Sequence, residues 1–116
     1  MQNISQKLMA CGIRRTVSNV VELLVSDFDW HKFRDIERKA DLRQPEVSMA
    51  IKEILPYVEV RTSNEKREEK GRPTKEFRLT EAAANGLIKS IVASEEEKIE
   101  KIRKSLDDLA QELSET

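Results

Sequence analysis

One stretch, Asp35 to Leu55 (DIERKADLRQPEVSMAIKEIL), constrains the fold of this chain more than any other. Ile36 and Ala40 lie one helical turn apart, Leu42 follows at a corner, and Val47, Ile51 and Ile54 recur at spacings of four and three. That spacing predicts two short helices joined by a sharp turn, each with one apolar stripe facing inward. Pro45 fits the first turn of the second helix, where a missing N–H costs nothing, and it pushes the residue before it out of helical geometry. Gln44 is therefore expected at the N-cap, and Pro56 ends the helix. The outward face is left with Gln44, Ser48 and Lys52, flanked by Arg43 and Met49. A polar face on the second helix of such a pair has the shape and chemistry to enter a DNA major groove.

The flanking segments add to this pair. Residues 3–11 place Ile4, Leu8 and Cys11 on one side of a short helix, capped by Asn3 or Ser5 and ended by Gly12. Residues 14–26 predict a second helix through Val17, Val20, Val21, Leu24 and Val25, although valine is a mediocre helix former. Phe28, Trp30 and Phe33 then break the period and read as core or strand residues. Trp30 is expected to be a core anchor and His31 a surface histidine. Beyond Pro56 the sequence YVEVRTS alternates with period two, which predicts a strand with Val58 and Val60 inward. EFRLT, 76–80, does the same with Phe77 and Leu79 inward. The connecting loop carries Lys66, Arg67, Lys70, Arg72 and Lys75 against Glu65, Glu68 and Glu69. Its Gly71-Arg72-Pro73 combines a free turn, a stiff extended residue and an arginine suited to a narrow minor groove.

Thr80 is expected to cap the last helix, with Glu81 in its first turn. Gly86 is either a small cost to this helix or a point of close packing. Ile88, Val92, Glu95, Ile99, Ile102, Leu106, Leu109 and Leu113 fall at alternating steps of four and three, a heptad seam with one polar interruption. Ser94-x-x-Glu97 also fits a capping box, which would break the helix near Ser94. A stripe this narrow on so long a helix is expected to meet a second copy, with Ile4 and Leu8 contributing from the N-terminal helix.

Charge is segregated along the chain. Residues 31–80 hold thirteen basic and ten acidic side chains, and residues 81–116 hold five and nine, so a slightly positive middle precedes an acidic tail. Fields act within about 10 Å at moderate salt, so the local excess counts for more than the overall −1. No run of apolar residues is long enough to span a membrane, and the first residues are too polar for a signal peptide. A cytoplasmic location is expected. One cysteine and one histidine cannot build an internal disulfide or a Cys/His metal cluster, so neither metal nor cofactor is expected. No activated nucleophile, acid/base pair or phosphate-binding glycine loop points to an enzyme.

The order helix, strand, helix, corner, helix, strand, loop, strand, long helix resembles the winged helix-turn-helix regulators. The segments DLRQPEVSMAIKEI and GRPTKEFRLT are similar to the ArsR/TrmB/MarR type, the archaeal ones in particular. The resemblance covers residues 14–80 and implies a mainly helical α+β fold with a small β-hairpin. It divides the chain into an N-terminal helix (1–13), a winged helix (14–80, recognition helix 44–55, wing 57–79) and a C-terminal dimerisation helix (81–116). Leu42, Val47 and Ile51 match family core positions. Gln44, Pro45 and Ser48 match positions that face DNA, and Thr80 matches the start of the helix after the wing. Met49 stands where the family often has Arg or His, and Glu46 and Glu53 add negative charge to the second helix. The cysteine-rich and His/Asp sites of the metal-sensing members are absent.

The expected function is that of a homodimeric DNA-binding transcription regulator reading two half-sites about one helical turn, ~34–36 Å, apart. Arg43, Gln44, Pro45, Ser48, Met49 and Lys52 would meet the major groove and adjacent phosphates. Arg67, Lys70, Arg72 and Lys75 would hold phosphates or the minor groove. Ile4, Leu8, Ile88, Val92, Ile99, Ile102, Leu106, Leu109 and Leu113 would join the two copies. The partners are thus double-stranded DNA and a second copy of the chain, with no membrane. With no separate ligand domain among these residues, a small-molecule effector would have to bind at the dimer interface or act through a partner. The alternative is a protein-interaction winged helix, an adaptor of the transcription machinery without DNA contact, which Glu46, Glu53 and the acidic tail would suit.

Overall fold

The computed structural model describes residues 3–63 and 74–115. They fall in two compact units, Met1–Gly86 and Leu87–Thr116. The first contains α1 (Ile4–Ala10), α2 (Arg15–Ser26), β1 (His31–Lys32), α3 (Phe33–Ala40), α4 (Gln44–Glu53), a 3-10 turn (Leu55–Tyr57), β2 (Glu59–Ser63) and β3 (Thr74–Arg78). α5 (Glu81–Ser114) starts in the first unit and runs on as the second.

The core of the first unit comes from the apolar stripes read in the sequence. Val20, Val21 and Leu24 of α2, Ile36 of α3, Val47 and Ile51 of α4, and Leu79 after β3 are buried, as are Leu42 and Ile54. Burial of this set, at roughly 25 cal/mol per Å² of apolar surface, outweighs the weak helix propensity of the valines. Leu42 fills the corner between α3 and α4. There Leu42 N–H donates to the Glu37 carbonyl (3.0 Å) and Asp41 N–H to that of Arg38 (3.3 Å), while Asp41 takes a left-handed φ of 57°. This is a Schellman turn with an aspartate in place of the usual glycine. Gly12 closes α1 the same way, with φ 93° and bonds from Ile13 N–H to Leu8 and from Gly12 N–H to Met9.

The three strands are antiparallel in the order β1-β3-β2. Phe77 on the central strand pairs with His31 on one side and Val60 on the other, and meets Phe33 edge to face at 6.2 Å. Thr80 caps α5 by accepting from Ala83 N–H (3.1 Å). Mainly helical, with a small sheet and a long C-terminal helix, the chain has the α+β winged-helix architecture.

Several expectations are corrected. His31 is buried, 3 % exposed, because β1 seats it beside Phe77 and its Nε2–H donates to the Asp27 carbonyl (2.8 Å). Val60 is 44 % exposed although it shares the inward face with Phe77, since β2 is the sheet edge and fewer side chains cover it. Phe28 is exposed and Trp30 only half-buried, so neither anchors the core. Cys11 is exposed at the C-cap of α1. Neither Asn3 nor Ser5 caps α1 through its side chain. Instead Ser5 N–H donates to Glu22 of α2 (3.2 Å), and Ser5 Oγ to Asn19 (2.6 Å). The α4 N-cap is Arg43, one residue before Gln44. α5 continues through Ser94 without a break.

Candidate nucleic-acid interface

α4 buries Val47, Ala50 and Ile51 and turns the rest outward. Arg43, Gln44, Pro45, Ser48 and Lys52 are exposed, and Met49 is 58 % exposed. Five of the six residues expected to read the groove therefore share one accessible face of α4, with Arg43 at its N-cap, and the set carries amide, hydroxyl, thioether and cationic groups. Those groups can contact base edges, thymine methyls and phosphates. Lys75 lies exposed near the loop end of β3, while Arg67, Lys70 and Arg72 lie outside the described residues.

The acidic residues of α4 have defined partners. Glu46 accepts from Arg43 N–H (2.9 Å), which is the carboxylate half of a capping box, and lies 3.5 Å from the Arg15 guanidinium. Glu53 pairs with Arg14. Arg14 and Arg15 sit at the N-cap and first position of α2, so the packing of α2 on α4 sets two arginines beside the two glutamates of the candidate reading helix. Sequence reasoning missed this pair. A usable signal was present: two arginines at a helix N-terminus oppose the macrodipole, which marks them for carboxylate partners or an external anion.

A groove of about 480 Å³ runs between the start of α3, the start of α4 and the first residue of β3. Gln44 and Thr74 line it together with Lys32, Arg34, Asp35 and Glu37. It joins the outward face of α4 to the start of β3. The sheet face opposite Phe77 is tied up internally. Arg61 bonds Glu76 (2.6 Å) and Arg78 bonds Glu59 (2.7 Å), each pair directly across the β2–β3 ladder. Both guanidinium groups also stack on Trp30, at 4.3 and 4.6 Å from the ring centroid. Trp30 thus acts as a platform for the protein's own arginines.

Of the residues expected to join two copies, Leu8 is buried within its own chain and Ile4 is half-buried. Ile88, Val92, Ile99, Ile102, Leu106, Leu109 and Leu113 are all exposed, from 39 % at Ile88 to 68 % at Leu113. No helix among the described residues is long and apolar enough to cross a membrane.

Helix pair, three-stranded sheet and outward polar helix define a winged helix-turn-helix domain with a long C-terminal helix. A similar fold is found in a protein of Methanosarcina mazei Go1 described as a possible transcriptional regulator. The two align with a TM-score of 0.61 over 84 % of this chain and 82 % of that one. Their sequences are 15 % identical, so the likeness is one of fold. No family model matches this chain, and no curated protein does.

Proposed function

We propose that the chain is a dimeric, DNA-binding transcription regulator of the ArsR/TrmB/MarR kind and not an enzyme. The observation that carries this reading is the outward face of α4. Its polar and cationic side chains are exposed, and both of its glutamates are occupied by Arg14, Arg15 and the Arg43 N–H. The glutamates that favoured an adaptor role are thereby explained by packing within the chain, which weakens that alternative. The M. mazei protein of similar fold, described as a possible regulator, supports the same assignment. α4 would lie in the major groove, with Arg43, Gln44, Pro45, Ser48, Met49 and Lys52 reading bases and adjacent phosphates. Lys75, with Arg67, Lys70 and Arg72 of the loop, would grip the flanking backbone.

The test is selection of bound sequences from random duplex DNA, followed by affinity measurement across a salt series. A two-fold motif is expected. With about eight phosphates neutralised per dimer, log K should fall against log salt with a slope of about −7. Undetectable binding at low salt, or binding indifferent to salt, would sink the proposal. Gln44→Ala should alter which sequence is preferred, whereas Arg72→Ala should weaken binding to every sequence.

A further inference from the structure

Taking the dimeric reading as its basis, we propose that two copies pair their Leu87–Thr116 helices antiparallel, in the register that sets Ile99 of one copy against Ile102 of the other. The seam itself requires a cover. Ile99, Ile102, Leu106 and Leu109 are each more than half exposed along one stripe of a helix that is unbroken to Ser114. Antiparallel helices pack such a stripe by alternating the two kinds of seam position across the interface. In this register Val92 meets Leu109, Glu95 meets Leu106, and Ile88 meets Leu113, so every seam residue finds a partner. Sliding by one heptad, so that Ile102 meets Leu106, leaves Ile88 and Val92 opposite no residue of α5, which ends at Ser114.

Charge selects the same arrangement. A parallel pair would place Glu95 against Glu95 in one layer, and two carboxylates facing each other in a seam repel strongly. It would also set Lys98 beside Arg103. In the antiparallel register Glu95 packs against leucine, while its carboxylate stays bonded to Lys98 of its own helix at 3.0 Å. Glu96 then approaches Arg103 of the second copy, and symmetry makes this contact twice. Arg103 is available for it: its own-helix partner Glu100 is 3.8 Å away, and its side chain is 65 % exposed. Lys98 faces Ser105, which is neutral. The heptad-shifted register instead opposes Arg103 to Arg103. Matching of apolar layers and of flanking charge thus converge on one register.

Disulfide trapping in the full chain tests this. In a Cys11→Ser background, Ile99→Cys and Ile102→Cys chains are oxidised separately and as a mixture, and wild-type sedimentation is measured at tens of micromolar. A dimer whose cross-link forms only in the mixture is the expected result. Cross-linking of either variant alone indicates parallel helices, and a dimer with no cross-link in the mixture indicates another interface; both overturn this proposal and leave the dimeric reading standing. A monomer overturns both. As a second readout, Arg103→Glu should weaken dimerisation on the order of tenfold, from two exposed ion pairs turned repulsive, and Glu96→Arg added to it should restore the wild-type constant. Failure of that rescue counts against the register.

Discussion

Asp41 and Gly86 show how far a single residue can sit from its local optimum in a stable fold. Asp41 holds a left-handed φ of 57° at the corner between α3 and α4, where a Cβ costs roughly 1–2 kcal/mol and a carboxylate faces the negative end of α3. Asp41→Gly should therefore raise stability by about 1 kcal/mol, partly offset by greater unfolded-state freedom, as read by thermal denaturation. Gly86 lies inside α5, and a Cβ built there would meet the Tyr57 ring at 3.7 Å, an ordinary van der Waals contact. The site is thus a helix cost and not a forced close approach. Gly86→Ala should add about 0.5–1 kcal/mol, and a fall in melting temperature would show that Tyr57 cannot accommodate the methyl.

The pairing of α2 with α4 is the element-scale feature that most changes the picture of the candidate interface. In sequence, Glu46 and Glu53 cancel Arg43 and Lys52 on the same helix. In the fold, Arg14 and Arg15 supply a second cationic row beside that helix, partly engaged with the glutamates. These pairs are about half exposed and contribute under about 1 kcal/mol to stability. On the proposed DNA-binding reading, their larger effect would fall on DNA affinity. Glu53→Gln should strengthen binding several-fold at low salt and steepen its salt dependence, because Arg14 is released toward phosphates. Arg14→Ala should do the reverse while shifting the unfolding midpoint little. If neither substitution changes affinity in titrations with duplex DNA, the α2 N-terminus lies away from the nucleic acid.

At the scale of the whole molecule, the proposed reading face carries little net charge, because Glu46 and Glu53 offset Arg43 and Lys52, so on the proposed reading tight binding to DNA would come from two copies. Linking two weak half-site contacts raises affinity by about 10²–10⁴ through effective concentration alone. Ile102→Asp with Leu106→Asp should yield a monomer whose winged unit keeps its fold, since both residues are exposed in the Leu87–Thr116 unit. Its operator affinity should drop at least about a hundredfold. Sedimentation and DNA titration of the same preparation check the two halves of this expectation, and a monomer that binds as tightly as wild type would remove any role for pairing.

Most of the fold was legible in the sequence because helical periodicity and turn residues are local signals. The 3-4 spacing of Val47, Ile51 and Ile54, the corner at Leu42, the Thr80 cap and the apolar stripe from Ile88 to Leu113 all follow from residues within a few positions of one another. The outward set on α4 followed for the same reason, as the complement of its buried stripe. What only the tertiary structure decided depends on residues distant in the chain. The burial of His31 comes from strand pairing with Phe77, and the exposure of Val60 from its place on an edge strand. Trp30 has its role because Arg61 and Arg78 converge on it across the ladder. The neutralisation of Glu46 and Glu53 arises because α2 packs on α4 and brings up Arg14 and Arg15 from about thirty to forty residues away. Periodicity assigns a face to each side chain, but the partner on that face is set by the packing of the elements.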